Sequence, residues 1–450
     1  MGDLARIFKA YDVRGVVPDE LDEETAEAVG AAFVEVTGAA TVAVAHDMRA
    51  SSGPLAAAFA RGVTSRGADV VDTGLGSTDM LYYASGSLSV PGVMFTASHN
   101  PARYNGMKMC RAGAVPIGAE TGLVEIRDRA AELLASGVGG EGGGVVSERD
   151  LLRGYADHLR TLVDLSAVRP LRVVVDAGNG MAGHTVPVVF EGLPLELTAL
   201  YFELDGTFPN HEANPIEPEN LRDLQKAVLD VGADIGLAFD GDADRCWVVD
   251  ERGESVSPST ITALVAAREL AKQPGATIIH NLITSRGVPE IVAEHGGVPV
   301  RTRVGHSFIK AEMARTGAVF GGEHSAHYYF KDFWFADTGM LAALHVLAAL
   351  GEQDRPLSEI LAGYARYAAS GEINSTVADQ RAATARVRER FEGRDGVTFD
   401  ELDGMTVSGP GWWFNLRPSN TEPLLRLNAE AADEIQMAAI RDEVLAVVRS

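Results

Sequence analysis

The sequence has few cysteines and no long apolar run. Its two cysteines, Cys110 and Cys246, are far apart, which excludes a disulfide framework and fits a reducing compartment. The longest apolar stretch, residues 340–350, is interrupted by His345 and is too short to span a bilayer. The residues after Met1 lack a signal-peptide core. We therefore expect a cytoplasmic protein with no membrane partner.

Basic residues are also scarce. The chain carries 39 Lys and Arg against 63 Asp and Glu, a formal net charge of −24, which argues against a nucleic-acid partner. Only six of the cations are lysines, so Lys108 stands out because it follows a polar loop. If the substrate is an anion, its positive contacts must be concentrated locally against the overall charge.

The order of apolar segments predicts an α/β protein with several domains. Strands at 7–11, 41–45 and 70–73 alternate with helices at 21–37 and 55–66, a pattern typical of helices packed on a mostly parallel sheet. The glycine-rich segment 137–144 marks a boundary, and a second alternating unit covers residues 260–350. We expect domains at 1–145, 146–250, 251–355 and 356–450.

Residues 178–183 match the G-x-G-x-x-G fingerprint of dinucleotide-binding proteins after a strand. Pro187 falls where the following helix should continue, which opposes that interpretation. We prefer a glycine-rich turn between a strand and a helix.

The stretch Thr96-Ala-Ser-His-Asn-Pro101 ends an apolar run and breaks at Asn-Pro, so it predicts a short loop between two strands. Ser98 can then face a cleft. An ordinary polar turn is the alternative.

Asp240, Asp242 and Asp244 alternate after another predicted strand. Carboxylates this close repel one another unless they bind a cation, and Mg²⁺ is the expected ion. An EF-hand is excluded because Arg245 occupies the position that needs Gly, and a strand follows it. Arg245 is suited to contact phosphate oxygens.

Two further loops carry polar groups. Residues 322–327 read Gly-Glu-His-Ser-Ala-His, a mixture of donors and acceptors that suits sugar hydroxyls. Residues 417–423 read Arg-Pro-Ser-Asn-Thr-Glu-Pro, which suits a phosphate group, although the motif taken alone favours a plain turn.

Taken together with Tyr11-Asp-Val-Arg-Gly15, these motifs follow the order found in the α-D-phosphohexomutase superfamily, and the chain resembles its bacterial phosphomannomutase/phosphoglucomutase group over its whole length. The resemblance implies a four-domain, heart-shaped enzyme with three related mixed α/β domains and a smaller C-terminal α+β domain. It also implies Mg²⁺ as cofactor, hexose phosphates as substrates, and a monomer or homodimer.

The resemblance assigns roles residue by residue. Ser98 would be a phosphoserine that shares Mg²⁺ with the three aspartates. The other implied catalytic residues, near the transferred phosphoryl group, are Arg14, Lys108, Arg245 and His327. The implied substrate-binding residues are Glu323 and Ser325 for the sugar hydroxyls and His306 in a domain-three loop that contacts ligand. For the distal phosphate they are Arg417, Ser419, Asn420 and Thr421.

The implied reaction interconverts mannose 1-phosphate and mannose 6-phosphate through a hexose 1,6-bisphosphate, and glucose phosphates are expected to react too. Lys108 or His327 would be the general acid/base. Preference among mannose, glucose and glucosamine phosphates stays open, because Ile283 stands where some relatives carry Lys and Ala326 replaces a Gly. A phosphatase with the same serine and metal, and a sugar-phosphate- or metal-binding protein without turnover, are the alternatives.

Overall fold

The computed structural model describes residues 4–140, 142–418 and 424–450, whose strands form four sheets. Three sheets are mixed and covered by helices, and the last is antiparallel, which confirms the predicted α/β class with a smaller α+β unit at the C-terminal end. Across these ranges, no helix combines the length and the apolarity needed to cross a membrane.

The first sheet is built around four parallel strands. Its strands are β1 (Val13–Val16), β2 (Thr41–His46), β3 (Asp69–Leu75), β4 (Gly92–Phe95), β5 (Tyr104–Arg111), β6 (Val115–Pro116) and β7 (Val146–Glu148). Their order is β1-β5-β4-β2-β3-β7, with β6 beside β5. Strands β3 and β4 run parallel to β2, and β5 returns antiparallel to β4. The helices of this unit are α1 (Leu4–Ile7), α2 (Glu23–Thr37), α3 (Ser52–Ser65), α4 (Thr78–Leu88) and α5 (Val124–Ser136).

The predicted strand at 7–11 is wrong. Residues Leu4–Ile7 form a short helix, and the strand is β1, which pairs with β5 about ninety positions away along the chain. A short apolar run has no period long enough to separate helix from strand, so the distant partner decides. Helix α2 was predicted well because its ends carry local signals. Asp22 accepts a hydrogen bond from the Thr25 N–H, and Gly38 closes the helix at φ 68°.

The second and third sheets repeat this plan. The second contains β8 (Leu171–Asp176), β9 (Leu195–Leu200), β10 (Ile235–Phe239), β11 (Cys246–Asp250) and β12 (Ser255–Val256), with α6 (Leu152–Leu162), α7 (Ala182–Val189) and α8 (Arg222–Val231). The third contains β13 (Thr277–Asn281), β14 (Val298–Thr302), β15 (Phe320–Gly322), β16 (Tyr328–Phe330) and β17 (Ala336–Asp337), with α9 (Pro258–Lys272), α10 (Gly287–Glu294), α11 (His306–Thr316), α12 (Gly339–Gly351) and α13 (Leu357–Leu361).

The last sheet differs because its neighbouring strands are all antiparallel. Its elements are β18 (Ala368–Thr376), α14 (Gln380–Phe391), β19 (Thr398–Asp400), β20 (Met405–Gly409), β21 (Trp412–Pro418), β22 (Leu424–Ala431) and α15 (Glu434–Val448).

In each mixed sheet, one loop occupies the same position. It joins a parallel strand to the antiparallel strand that follows, as β4 to β5, β10 to β11 and β15 to β16. These connections carry Ser98, the three aspartates and Glu323 respectively. The same connection in each mixed sheet therefore supplies one of three loops that carry candidate site residues.

The apolar cores divide differently from the sheets. The second and third sheets share one continuous cluster of buried side chains, which includes Val174, Leu237 and Phe320. The first sheet packs mainly around Phe33 and Phe59, and the C-terminal sheet has a core of its own.

A buried carboxylate links the three mixed units. Asp79, in α4, is fully buried and accepts hydrogen bonds from Tyr155 Oη of α6 and from Thr338 Oγ1 beside α12, both at 2.6 Å. Ser77 Oγ donates to its other oxygen. Because burial disfavours the ionised form, the pKa of Asp79 rises to about 6.

Candidate active site

Ser98 lies in the loop between β4 and β5 and is 5% exposed. Its backbone is left-handed, with φ 50°, and its N–H donates to Thr96 Oγ1 at 2.9 Å. This conformation directs Ser98 Oγ to the acidic loop, where it donates to Asp240 Oδ2 at 2.9 Å. The hydroxyl and the acidic loop predicted from sequence are therefore in direct contact, although 142 positions separate them.

The acidic loop is held against the Ser98 loop by close backbone packing. A Cβ on Gly241 would lie 2.4 Å from the Ser98 carbonyl oxygen, so this approach requires glycine. Gly180, in the turn before α7, packs on Gly241 in the same way, and the Met181 N–H donates to the Gly241 carbonyl at 2.9 Å. The glycine-rich turn therefore supports the acidic loop.

The three aspartates can hold a divalent cation. Asp240, Asp242 and Asp244 are at most 1% exposed, and each offers an oxygen within 4.8 Å of the others. Asp242 Oδ1 and Asp244 Oδ1 are buried without a hydrogen-bond partner in the described chain, which a hard cation would satisfy. Burial and the two neighbouring carboxylates raise the pKa of Asp240 against the opposing effect of Arg245. The donor set fits Mg²⁺.

Lys108, on β5, reaches two of these carboxylates. Its Nζ donates to Asp242 Oδ2 and Asp244 Oδ2, both at 2.6 Å. Burial disfavours the ammonium, but the two carboxylates outweigh it and raise the pKa of Lys108. Thr78, at the start of α4, fixes the same loop, because its Oγ1 donates to Asp242 Oδ2 at 2.5 Å.

Two guanidinium groups flank Ser98. Arg14 Nη1 donates to the Ala97 carbonyl at 2.7 Å, and the same guanidinium contacts Asn100 and Asp12. Arg245 Nε donates to Asp240 Oδ2 at 2.8 Å, and its Nη2 lies 3.4 Å from Ser98 Oγ. These groups place positive charge where a phosphoryl group on Ser98 would lie.

His99 faces the same point. Its Nδ1 lies 3.2 Å from Ser98 Oγ and 2.5 Å from Arg245 Nη2. Burial, together with the charge of Arg245, lowers the pKa of His99 well below its ordinary value, so the ring is neutral.

The loop between β15 and β16 approaches from the third sheet. His327 forms a backbone bridge with Arg245, and its Nε2 lies 3.8 Å from Asp244 Oδ1. Its Nδ1 contacts Ser325 Oγ at 3.1 Å. Glu323 is 2% exposed and accepts hydrogen bonds from Tyr329 Oη at 2.6 Å and from Asn281 Nδ2 at 3.1 Å.

The remaining predicted residues are only partly described. His306 begins α11, next to Gly305, whose N–H donates to Glu323 Oε1 at 3.3 Å. Arg417 is the penultimate residue of β21, and its Nη2 lies 3.5 Å from Glu372 Oε2. Ser419, Asn420 and Thr421 lie outside the described residues.

These side chains enclose a cleft of about 160 Å³. It is lined by Tyr11, Asp12, Arg14, Tyr82, Ser98, His99, Lys108, Met109, Pro116, Asp244, Arg245, His327 and Asp337. The structure thus gathers predicted groups from the three mixed sheets at this cleft, namely Arg14, Ser98, Lys108, Asp244, Arg245 and His327. Glu323, Ser325 and Arg417 are not among the described residues that line it. Sequence reasoning missed Tyr82 and Asp337, which are ordinary residue types outside any motif. His99 and Asp12 lie within quoted motifs, and their neighbours could have drawn attention to them.

Models of one protein family match the chain in order. The three described as "Phosphoglucomutase/phosphomannomutase, alpha/beta/alpha domain" I, II and III match residues 5–134, 153–253 and 257–367, and the C-terminal domain of the same family matches residues 372–447.

Individual relatives agree with these matches over the full length. A protein named "Phosphohexose mutases" from Xanthomonas campestris pv. campestris is 41% identical over 438 residues, 97% of each chain. A phosphomannomutase of Escherichia coli is 41% identical over 451 residues, covering 98% of this chain and 99% of the relative. The crystal structure of a phosphoglucomutase/phosphomannomutase family protein from Burkholderia thailandensis has a TM-score of 0.88 at 34% identity, covering 100% of this chain and 98% of that one. The chain therefore belongs to the phosphoglucomutase/phosphomannomutase family of enzymes.

Proposed function

We propose that this protein is a phosphomannomutase that interconverts mannose 1-phosphate and mannose 6-phosphate. Relatives of that name share about 40% of its residues over nearly the whole chain. Glucose phosphates are proposed as further substrates, with phosphoglucomutase or phosphoglucosamine mutase activity as the alternative main reaction. Mannose and glucose differ at the 2-hydroxyl, whereas Glu323 and Ser325 are proposed to contact O3 and O4.

One observation carries the proposal. Ser98 Oγ lies 2.9 Å from Asp240 Oδ2 at a cleft whose other walls include Lys108, Arg14 and Arg245. Although the net charge of the protein is −24, cationic side chains surround this one hydroxyl. That arrangement suits a residue that alternates between a neutral hydroxyl and a phosphate dianion, since phosphoryl transfer depends on positioning and charge neutralisation.

In the proposed reaction, the free hydroxyl of a hexose monophosphate attacks the phosphorus of phospho-Ser98. The bond from phosphorus to Ser98 Oγ breaks, and the product is a hexose 1,6-bisphosphate. After the bisphosphate has reoriented in the cleft, Ser98 Oγ takes the phosphoryl group from the other end. Mg²⁺ held by Asp240, Asp242 and Asp244 would supply positive charge that neutralises the transferring group.

The chain's own side chains manage protons and orientation. Lys108 and His327, which both line the cleft beside Ser98, are the general acid/base candidates. Because Asp242 and Asp244 hold Lys108 as an ammonium, which has no free electron pair, His327 is proposed to take the proton of the attacking hydroxyl. Arg14 and Arg245 bind the phosphoryl oxygens. Glu323, Ser325 and His306 are proposed to hold the sugar, and Arg417, Ser419, Asn420 and Thr421 the distal phosphate.

The domain division at 1–145, 146–250, 251–355 and 356–450 belongs to the same proposal. Each mixed unit would contribute one loop and the C-terminal unit the phosphate contacts. The protein would act as a monomer or homodimer.

The test combines turnover with a mass measurement. Purified protein should interconvert mannose 1- and 6-phosphate with Mg²⁺ and catalytic hexose 1,6-bisphosphate, and intact-mass analysis with peptide mapping should find one phosphoryl group on Ser98. Ser98→Ala should lose turnover almost completely yet still bind sugar phosphate, whereas Ser136→Ala, an exposed serine in α5, should match wild type. Absence of turnover with mannose, glucose and glucosamine phosphates would refute the proposal, and stoichiometric release of inorganic phosphate would favour a phosphatase.

A further inference from the structure

Arg49 lies just after β2, and all five of its guanidinium N–H groups have acceptors. Nη2 donates to the carbonyls of Ser98 at 2.9 Å and Asn100 at 2.7 Å. Nη1 donates to the carbonyls of Pro101 at 2.9 Å and Tyr104 at 3.0 Å. Three of these carbonyls belong to the loop that carries Ser98, and the fourth belongs to Tyr104, the first residue of β5, so one side chain binds most of that loop's length.

The fifth donor and the surroundings of Arg49 hold the guanidinium in place. Its Nε donates to Asp47 Oδ2 at 3.2 Å, and Ser52 Oγ donates to Asp47 Oδ1 at 2.5 Å. Asp47 is 1% exposed and Arg49 3%. The ring of Phe208, from the second unit, covers the guanidinium at 5.0 Å.

The Ser98 carbonyl is fixed from two sides. Arg49 binds it on one side, and Gly241 of the acidic loop packs against it on the other. Ser98 itself has φ 50°, a strained conformation for an L residue that persists only where its surroundings enforce it. Arg49 supplies part of that enforcement.

We infer that Arg49 is a positioning residue for phosphoryl transfer: it sets the place of Ser98 Oγ relative to the three aspartates without touching the reacting atoms. This inference rests on the proposed function. All of the hydrogen bonds that the Arg49 guanidinium donates go to backbone carbonyls and Asp47, and none goes to Ser98 Oγ. The restraint is therefore the same whether Ser98 is a hydroxyl or a phosphate ester, and it resists the pull of a phosphate dianion towards Arg245 and Lys108.

A positioning role predicts a specific kinetic effect. Arg49→Lys keeps the positive charge but replaces five fixed donors by three on a flexible stem. Since a displacement of about 1 Å costs about 100-fold in rate, kcat should fall by about 100-fold. KM for mannose 6-phosphate should stay within about threefold, because the proposed sugar and distal-phosphate contacts lie on other loops.

Arg160→Lys is the matched control. Arg160 also binds backbone carbonyls through its guanidinium, at Val188, Val189 and Glu191, but in the second unit, near the end of α7. Both substitutions remove the same kind of contact. Arg160→Lys should lower the melting temperature and leave kcat per folded molecule unchanged.

Hydrogen exchange of residues 97–104 gives a readout that does not depend on turnover. Exchange there should be faster in Arg49→Lys than in wild type and unchanged in Arg160→Lys. If Arg49→Lys does not fold, Asp47→Asn is the second variant, because it keeps the four carbonyl contacts and weakens the bonds that Asp47 accepts from Arg49 and Ser52. It should show the same kcat loss in smaller degree with KM unchanged.

Three outcomes would overturn the inference: wild-type kcat in the variant, a rise in KM with kcat unchanged, or an equal kcat loss in Arg160→Lys. Wild-type protein inactive on every sugar phosphate would instead reject the proposed function. In that case unchanged exchange over residues 97–104 would separately reject the restraint by Arg49.

Discussion

Replacing Asp79 by Asn should change how the stability of the protein depends on pH. The pKa of Asp79 is raised by burial from 3.8 to about 6 in the folded state. When the pKa of an acid is higher in the folded than in the unfolded state, its favourable contribution to the free energy of unfolding is complete below the pKa of the unfolded state. That contribution is lost as pH rises through the pKa of the folded state. The ionised carboxylate at neutral pH therefore costs about 3 kcal/mol relative to the protonated group. About half of that cost develops between pH 5 and 7.5.

Asn is a suitable replacement because its Oδ1 can accept from Tyr155 and Thr338 while its Nδ2 faces Ser77. The assay is urea unfolding of wild type and variant, without divalent cations, at several pH values from 5 to 7.5. Between pH 5 and pH 7.5, the free energy of unfolding of the variant should rise relative to that of wild type by about 1.4 kcal/mol. Parallel stability curves would refute the reasoning, because they would mean that Asp79 does not titrate between folded and unfolded states in this window.

Two further predictions concern the cleft. Lys108→Met should lower kcat by about 100-fold or more. Mg²⁺ binding, measured by calorimetry, should not weaken, because Lys108 Nζ occupies oxygens of Asp242 and Asp244 that an ion would use. Weaker Mg²⁺ binding with retained turnover would contradict this prediction. Glu323→Gln should lower kcat/KM by about tenfold or more with Mg²⁺ affinity unchanged, since a charged acceptor bonded to Tyr329 and Asn281 is lost. The control for steady-state kinetics is Glu312→Gln, in the second half of α11, where Glu312 pairs with Arg315. Equal losses in both variants would contradict a role in the site.

The sequence was most informative where function is concentrated in a short segment. Ser98 and the three aspartates were predicted from local patterns, a loop between strands and alternating carboxylates, and the structure brings them together. Alternating strands and helices likewise indicated the mixed sheets, because each element has its own apolar periodicity.

The rest depends on partners that are distant along the chain. Thr78, Asp79 and Arg49 are ordinary residue types, and their importance comes from contacts with Asp242, Tyr155 and the Ser98 loop. The strand predicted at 7–11 was wrong for the same reason, because β1 is defined by its pairing with β5. No local pattern reports such pairings.

The core shared by the second and third sheets has a consequence during synthesis of the chain. Val174 and Leu237 belong to the same apolar cluster as Phe320 and Leu344, residues that leave the ribosome much later. Until then, strand β11 of the second sheet lacks helix α12, which packs on it, so this sheet cannot reach its final burial when its own strands are complete. The second and third sheets should therefore fold as one cooperative unit, whereas the C-terminal sheet, with its separate core, can fold last and independently.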